Sequence, residues 1–265
     1  MNLKISLPFL FVFILSPLVF AQLQVFPLRV TLSEKEKSAQ VSLRHRGEKK
    51  VKYKISTVFY KMMPDGAMVA IDKADVKDTT AADLFRYSPK QVDMDPNVEQ
   101  VVRLLWRAPA DLPEGEYRTH LHFEEIIEKT SGEVATTGTT AQIEMNVKMA
   151  VAIPVIVRKG KVEAKAEIVN LRLLNGPDQK PRFSFDLNKT GSGFLYGDLE
   201  LYSTPEGSTT PKLITTIFGV SSYIEKRSVT YPLEEKPPLG KFKVLFKNPA
   251  KDGDDVFAQS EIISK

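Results

Sequence analysis

The chain has no cysteine among its 265 residues, only three histidines and a single tryptophan. The missing cysteine excludes disulfides, thiol chemistry and thiolate metal sites, so the fold must stand on packing alone. Long apolar runs are missing too, with one exception at the start of the chain. Ile5 to Phe20 is almost wholly apolar, broken by Ser6, Pro8, Ser16 and Pro17. It is shorter than the ~20 residues that a spanning helix needs. Lys4 precedes it and Val19-Phe20-Ala21 follows, which is the layout of a secretory signal. Cleavage after Ala21 is expected, leaving a soluble exported chain that starts at Gln22 and is not inserted in a membrane. Charge of one sign is scarce as well: 37 Lys and Arg stand against 33 Asp and Glu, a net +4 spread along the chain. Such a balance does not suggest nucleic acid as a partner.

Catalytic signatures are equally thin. No nucleophile elbow, phosphate-binding loop or dinucleotide fingerprint occurs. Thr190-Gly191-Ser192-Gly193 lies between two strand-like runs and reads as a turn, since a phosphate cradle needs a helix after it. Besides His45, the histidines are His120 and His122, which share one strand face with Glu124. Two imidazoles and a carboxylate are able to ligate a divalent metal. No further cluster completes a site, so the expected reading is a solvent-facing polar row opposite Leu121 and Phe123. No enzyme activity, cofactor or metal is expected.

What the sequence does have is alternation. Gln40–Arg44, Val51–Ile55, Ile143–Met149, Arg182–Leu187 and Lys241–Phe246 all alternate apolar and polar residues with period two. That pattern puts one face on a core and the other in solvent. Turn signals separate the runs: Arg46-Gly47, Pro64-Asp65-Gly66, Asp95-Pro96-Asn97, Pro113-Glu114-Gly115, Ser131-Gly132 and Asn175-Gly176-Pro177. Ala74 to Tyr87 has room for a helical turn or two. Many short strands predict β-sandwiches. The length after residue 21 suits two domains of about 100–150 residues each. The apolar strand Met149–Val157 ends in polar Arg158-Lys159-Gly160-Lys161, which places the expected boundary there: 22–157 and 158–265.

Three motifs in order carry a family resemblance. They are Ser88-Pro89-Lys90-Gln91-Val92, then Gln100-Val101-Val102-Arg103-Leu104, then Leu112-Pro113-Glu114-Gly115-Glu116-Tyr117-Arg118-Thr119-His120-Leu121. Together they resemble the periplasmic chaperones of the chaperone–usher pilus pathway, and in particular their archaic branch. Beyond the first domain, Gly193–Leu199 and Pro238–Phe242 match loosely. The resemblance implies two immunoglobulin-like β-sandwich domains in a bent arrangement. It also implies a location in the periplasm, and pilus (fimbrial) subunits and an outer-membrane usher as partners. A secreted structural or adhesive sandwich protein is the other reading. Against it, Gln22 leads almost at once into strand-like Leu23–Leu32, without the N-terminal donor extension of a pilin.

Ile143, Met145, Val147, Met149 and Val151 form one unbroken apolar row, with Glu144, Asn146, Lys148 and Ala150 opposite. On its own such a row suits either its own core or strand addition to a partner, and the resemblance favours donation to a subunit. The resemblance also implies basic residues that hold the subunit's terminal carboxylate: Arg29, in the first strand, and Arg118. Ala152 stands where the better-known chaperones carry a lysine, which fits the archaic branch and pairs Arg118 with Arg29. Glu125 matches an acidic residue of the family's interdomain salt bridge, with Arg158 as its expected partner.

Overall fold

The computed structural model describes residues 23–71, 80–127, 149–176, 178–249 and 255–264. Among these residues the regular structure is strand. The first sandwich comprises β1 (Leu23–Phe26), β2 (Val30–Ser33), β3 (Ser38–His45), β4 (Val51–Met62), β5 (Met68–Ile71), β6 (Phe85–Ser88), β7 (Gln91–Met94), β8 (Glu99–Trp106), β9 (Gly115–Glu125) and β10 (Ala150–Lys159). One sheet runs β1-β3-β8-β6; the other runs β2-β10-β9-β4-β5, with β7 also on β4. The second sandwich comprises β11 (Ala164–Asn175), β12 (Pro181–Gly191), β13 (Leu195–Pro205), β14 (Lys212–Ser222), β15 (Lys226–Pro232), β16 (Gly240–Lys247) and β17 (Val256–Ser264). Its sheets are β11-β12-β15 and β14-β13-β16-β17.

The alternation seen in the sequence becomes the two cores. Val41, Leu43, Val102, Leu104, Leu121, Phe123, Ile153, Val155 and Val157 are buried in the first, and Phe183, Phe185, Leu187, Leu199, Leu201, Phe242, Val244 and Phe246 in the second. Each fully buried side chain of this size contributes about 1.5–3 kcal/mol, which is how a chain without disulfides stays folded. β10 runs on to Lys159, paired with Gly115, two residues past the apolar run that ends at Val157. Of the span 74–87 expected to hold a helical turn or two, residues 74–79 lie outside the described residues, and residues 82–84 form a turn that leads into strand β6.

β10 positions the site. It pairs antiparallel with β9 along its whole length, from Ala150 opposite Glu124 to Lys159 opposite Gly115. On its other side β2 joins it in parallel, and only from Val155, opposite Val30, to Arg158, opposite Ser33. Among the described residues the stretch from Ala150 to Pro154 therefore has a partner on one side only.

Candidate functional site

The polarity of that open edge follows from one hydrogen bond. The Glu125 amide donates to the Met149 carbonyl at 3.2 Å, so residues 149, 151 and 153 exchange their backbone bonds with β9. Ala150 and Ala152 then turn their N–H and C=O groups to the unpaired side. Pro154, which has no N–H to give, sits on the same side, where no β9 bond is lost. Odd-numbered side chains point inward: Ile153, Val155 and Val157 are buried, Val151 is half-buried, and Met149 at the strand's start is 41% exposed. The apolar row expected to act as donor thus continues the phase of the core and runs out of the sandwich. Its members Ile143, Met145 and Val147, and Lys148 on the opposite face, lie outside the described residues.

A strand laid along this edge parallel to β10 would be collinear with β2 and would end where β2 begins. The residue before Val30 is Arg29, in the segment that crosses from β1 in one sheet to β2 in the other. Its neighbours Phe26 and Leu28 are exposed by 75% and 69%. Arg29 lies with its guanidinium carbon 4.6 Å from the ring centroid of Tyr196, and its Nη1 is buried with no hydrogen-bond partner among the described residues. A cleft of about 650 Å³ adjoins it, lined among others by Phe26, Leu28, Arg29, Arg158, Phe194 and Tyr196.

Arg118 comes from β9. There β4 leaves β9 after the pair Val58–His120 and turns to β5, while Thr80 bridges to Arg118. The Arg118 side chain donates through Nη2 to the Tyr60 carbonyl at 2.8 Å. Its guanidinium carbon is 3.9 Å from the Tyr223 ring centroid and 5.0 Å from that of Phe59. Nε and Nη1 are buried and unpartnered among the described residues. Burial, and then the charge of Arg29, pull Arg118 down from the usual arginine value to about 10, which still leaves it charged at neutral pH. Neither arginine makes an ion pair among the described residues. The arrangement is thus two cations within each other's field, with free donors and no counter-charge, which is what a carboxylate or another anion requires.

The histidine row needs correction. His120 is buried, its ring edge-on to Tyr60 at 4.9 Å, and burial first, then Arg118 and Arg29, push it down to about 3, so it is neutral at pH 7. The face of β9 that carries Glu116, Arg118 and His120 is covered, not solvated, because residues of the second sandwich reach onto it. Among the described residues no group of three or more His, Asp or Glu is placed to hold a metal.

The expected Glu125–Arg158 pair is also corrected. Arg158 stands opposite Glu116 in the register, whereas Glu125 lies at the far end of β9, opposite Met149. Arg158 donates to Glu116 Oε1 through Nε at 2.8 Å and Nη2 at 2.5 Å. The other oxygen of Glu116 accepts the backbone N–H of Phe194, in the second sandwich, at 2.5 Å. The joint between sandwiches therefore rests on Glu116, which sequence reasoning did not single out. A second tie is the Ser228 amide donating to the Pro64 carbonyl at 2.7 Å, where the β4–β5 turn meets β15. Tyr196 and Tyr223, which cover the two arginines, were not singled out either; Tyr196 falls within the loosely matching Gly193–Leu199 stretch.

The fold and site define an all-β protein of two sandwiches in which, among the described residues, an open strand edge leads to two arginines without an ion-pair partner. No protein family and no curated protein match the chain. Solved structures similar to it are fimbrial chaperones. They include the class 5 fimbriae chaperone CfaA, at 11% identity and TM-score 0.46, covering 92% of this chain and 99% of that one. Another is the CsuC–CsuE chaperone–tip adhesion subunit complex of archaic Csu pili from Acinetobacter baumannii, at 12% and 0.44, covering 91% and 97%. A third is the SafA pilin with the SafB chaperone from Salmonella enterica, at 13% and 0.46, covering 91% and 95%. At these identities and TM-scores the likeness carries no weight for function, which rests on the chain's own residues.

Proposed function

We propose that this chain is a periplasmic chaperone for pilus subunits. It holds an incompletely folded β-subunit on the open edge of β10 and delivers it to an outer-membrane usher. Residues 1–21 serve as the export signal, and the chain after it acts as two domains joined just beyond β10. The observation that carries the reading is, among the described residues, an arginine pair without ion-pair partners at the closed end of an open strand edge.

The physical logic has three parts. Ala150 and Ala152 offer backbone donors and acceptors that a fully paired strand lacks, each bond adding about 0.5–1.5 kcal/mol net. The apolar row Ile143, Met145, Val147, Met149 and Val151 fills the subunit's unfinished core, at about 1.5–3 kcal/mol for each side chain fully buried. Register is the weak point of strand addition, because a slip of one residue turns every side chain to the wrong face. A terminal carboxylate held by Arg29 and Arg118 removes that ambiguity: the incoming strand stops where β2 starts.

The test is co-expression with each small secreted protein encoded beside this gene, followed by purification from the periplasm. The wild-type chain should carry one of them as a stable complex. Ala152→Pro removes an outward N–H without breaking a bond to β9, so it should fold normally and lose most of the subunit. Failure of every neighbour to co-purify, or full retention by Ala152→Pro, contradicts the proposal.

A further inference from the structure

We infer that Tyr196 and Tyr223, both from the second sandwich, are positioning residues for the anion site: their ring faces hold Arg29 and Arg118 in place while leaving the guanidinium donors free. The inference rests on the reading that these arginines take a carboxylate, and it extends the site to the second sandwich.

Two guanidinium groups near one another repel, and an unheld arginine side chain swings to water or to the nearest carboxylate. One candidate is Glu116, two residues from Arg118 on the same face of β9. It is already engaged by Arg158 through Nε and Nη2 and by the Phe194 amide. Arg118 is instead covered by Tyr223, with 3.9 Å from guanidinium carbon to ring centroid, and Arg29 by Tyr196, at 4.6 Å. A ring face attracts a cation without taking up its N–H groups, which lie in the guanidinium plane. A carboxylate in the same place would occupy those donors and close the site. The free donors are observed: Arg29 Nη1, Arg118 Nε and Arg118 Nη1 are buried without partners among the described residues.

The platform is itself braced. Phe194 meets the Tyr223 ring edge-on at 5.2 Å and 89°. The Phe194 backbone is in turn fixed by its N–H to Glu116. A line of contacts thus runs from the Glu116–Arg158 pair through Phe194 and Tyr223 to Arg118. The joint between the sandwiches and the alignment of the arginine then have one structural cause, which explains why a carboxylate is buried two residues from an unpaired arginine.

The experiment uses the signal-cleaved chain and a short synthetic peptide of alternating valine and threonine, prepared as free acid and as C-terminal amide. Affinities for both are measured by titration for wild type, Tyr223→Phe, Tyr223→Leu, Tyr196→Phe and Tyr196→Leu, with urea unfolding of each variant as a control. Wild type should prefer the acid. Each leucine variant should lower the acid-to-amide preference about tenfold while amide affinity holds, and each phenylalanine variant should keep the preference, since the ring face remains. The two tyrosines cover different arginines, so a folding defect in one variant leaves the other site as the test. Equal loss of acid and amide binding, an unchanged preference in the leucine variants, or a phenylalanine variant as poor as leucine overturns the positioning role. Equal affinity of wild type for acid and amide instead removes the carboxylate anchor of the proposed function itself.

Discussion

Arg118→Met separates what the arginine costs the free protein from what it gives to binding. Arg118 is 4% exposed, and burial with the nearby Arg29 charge brings it down from the usual arginine value to about 10. At about 1.4 kcal/mol per pH unit, keeping it charged costs the empty protein about 3 kcal/mol. That penalty is present in full below about pH 10 and is relieved as pH rises from there toward the usual arginine value, where the unfolded chain also loses its proton. Against it stand the bond to the Tyr60 carbonyl, about 1.5–3 kcal/mol for a charged donor, and stacking on Tyr223, up to about 2 kcal/mol. Methionine gives up these contacts, sheds the penalty and keeps an apolar contact with the rings. The opposing contributions differ by no more than about 2 kcal/mol, so urea unfolding should place Arg118→Met within about 2 kcal/mol of wild type. Binding of a subunit or a carboxylate-terminated strand peptide should nevertheless fall at least tenfold, because one charge-assisted anchor is gone. A variant destabilised by more than about 3 kcal/mol with peptide affinity intact would show that the guanidinium is a structural strut, and the reasoning would fail.

Two further outcomes follow from the buried groups of the same face. Glu116→Gln and Arg158→Gln should each destabilise the protein, and their double-mutant cycle in urea should show a coupling of about 1 kcal/mol; the half-exposed Arg158 keeps the value well below that of a fully buried pair, and coupling under about 0.3 kcal/mol would mean that the pair does not hold the joint. His120 is held near 3 in the folded chain, so its contribution is present above about pH 6.5 and is lost as pH falls toward 3, with a slope of up to about 1.4 kcal/mol per pH unit; His120→Phe should flatten that part of the stability profile, and an unchanged profile would refute the buried, neutral assignment.

How much of this was legible in the sequence depends on the range of the signal. Period-two alternation is local, and Gln40–Arg44, Val51–Ile55, Arg182–Leu187 and Lys241–Phe246 lie in β3, β4, β12 and β16. Turn chemistry was legible for the same reason: Asp95-Pro96-Asn97 closes with Asn97 at φ 62°, and Asp65 accepts from the Ala67 amide beside Gly66 at φ 86°. Register is not local. Nothing in the spacing of Glu125 and Arg158 shows that the antiparallel pairing of β9 and β10 puts Glu116 opposite Arg158. Burial by another sandwich is also invisible in a strand's own pattern. His120 sits in an alternating run that reads as half-solvated, but that face meets the second sandwich. Tyr196 and Tyr223 carry no local mark of their role, because it is defined by the arginines they cover from 167 and 105 positions away along the chain.

The most direct test of strand addition at β10 is amide hydrogen exchange, residue by residue, on the free chain and on its complex with a subunit. In the free chain the amides of Val151 and Ile153, bonded to β9, should exchange slowly and those of Ala150 and Ala152 quickly. In the complex Ala150 and Ala152 should become as protected as their neighbours. A stable complex in which these two amides still exchange as in the free chain would contradict the account, because the subunit would then be held somewhere other than the open edge of β10.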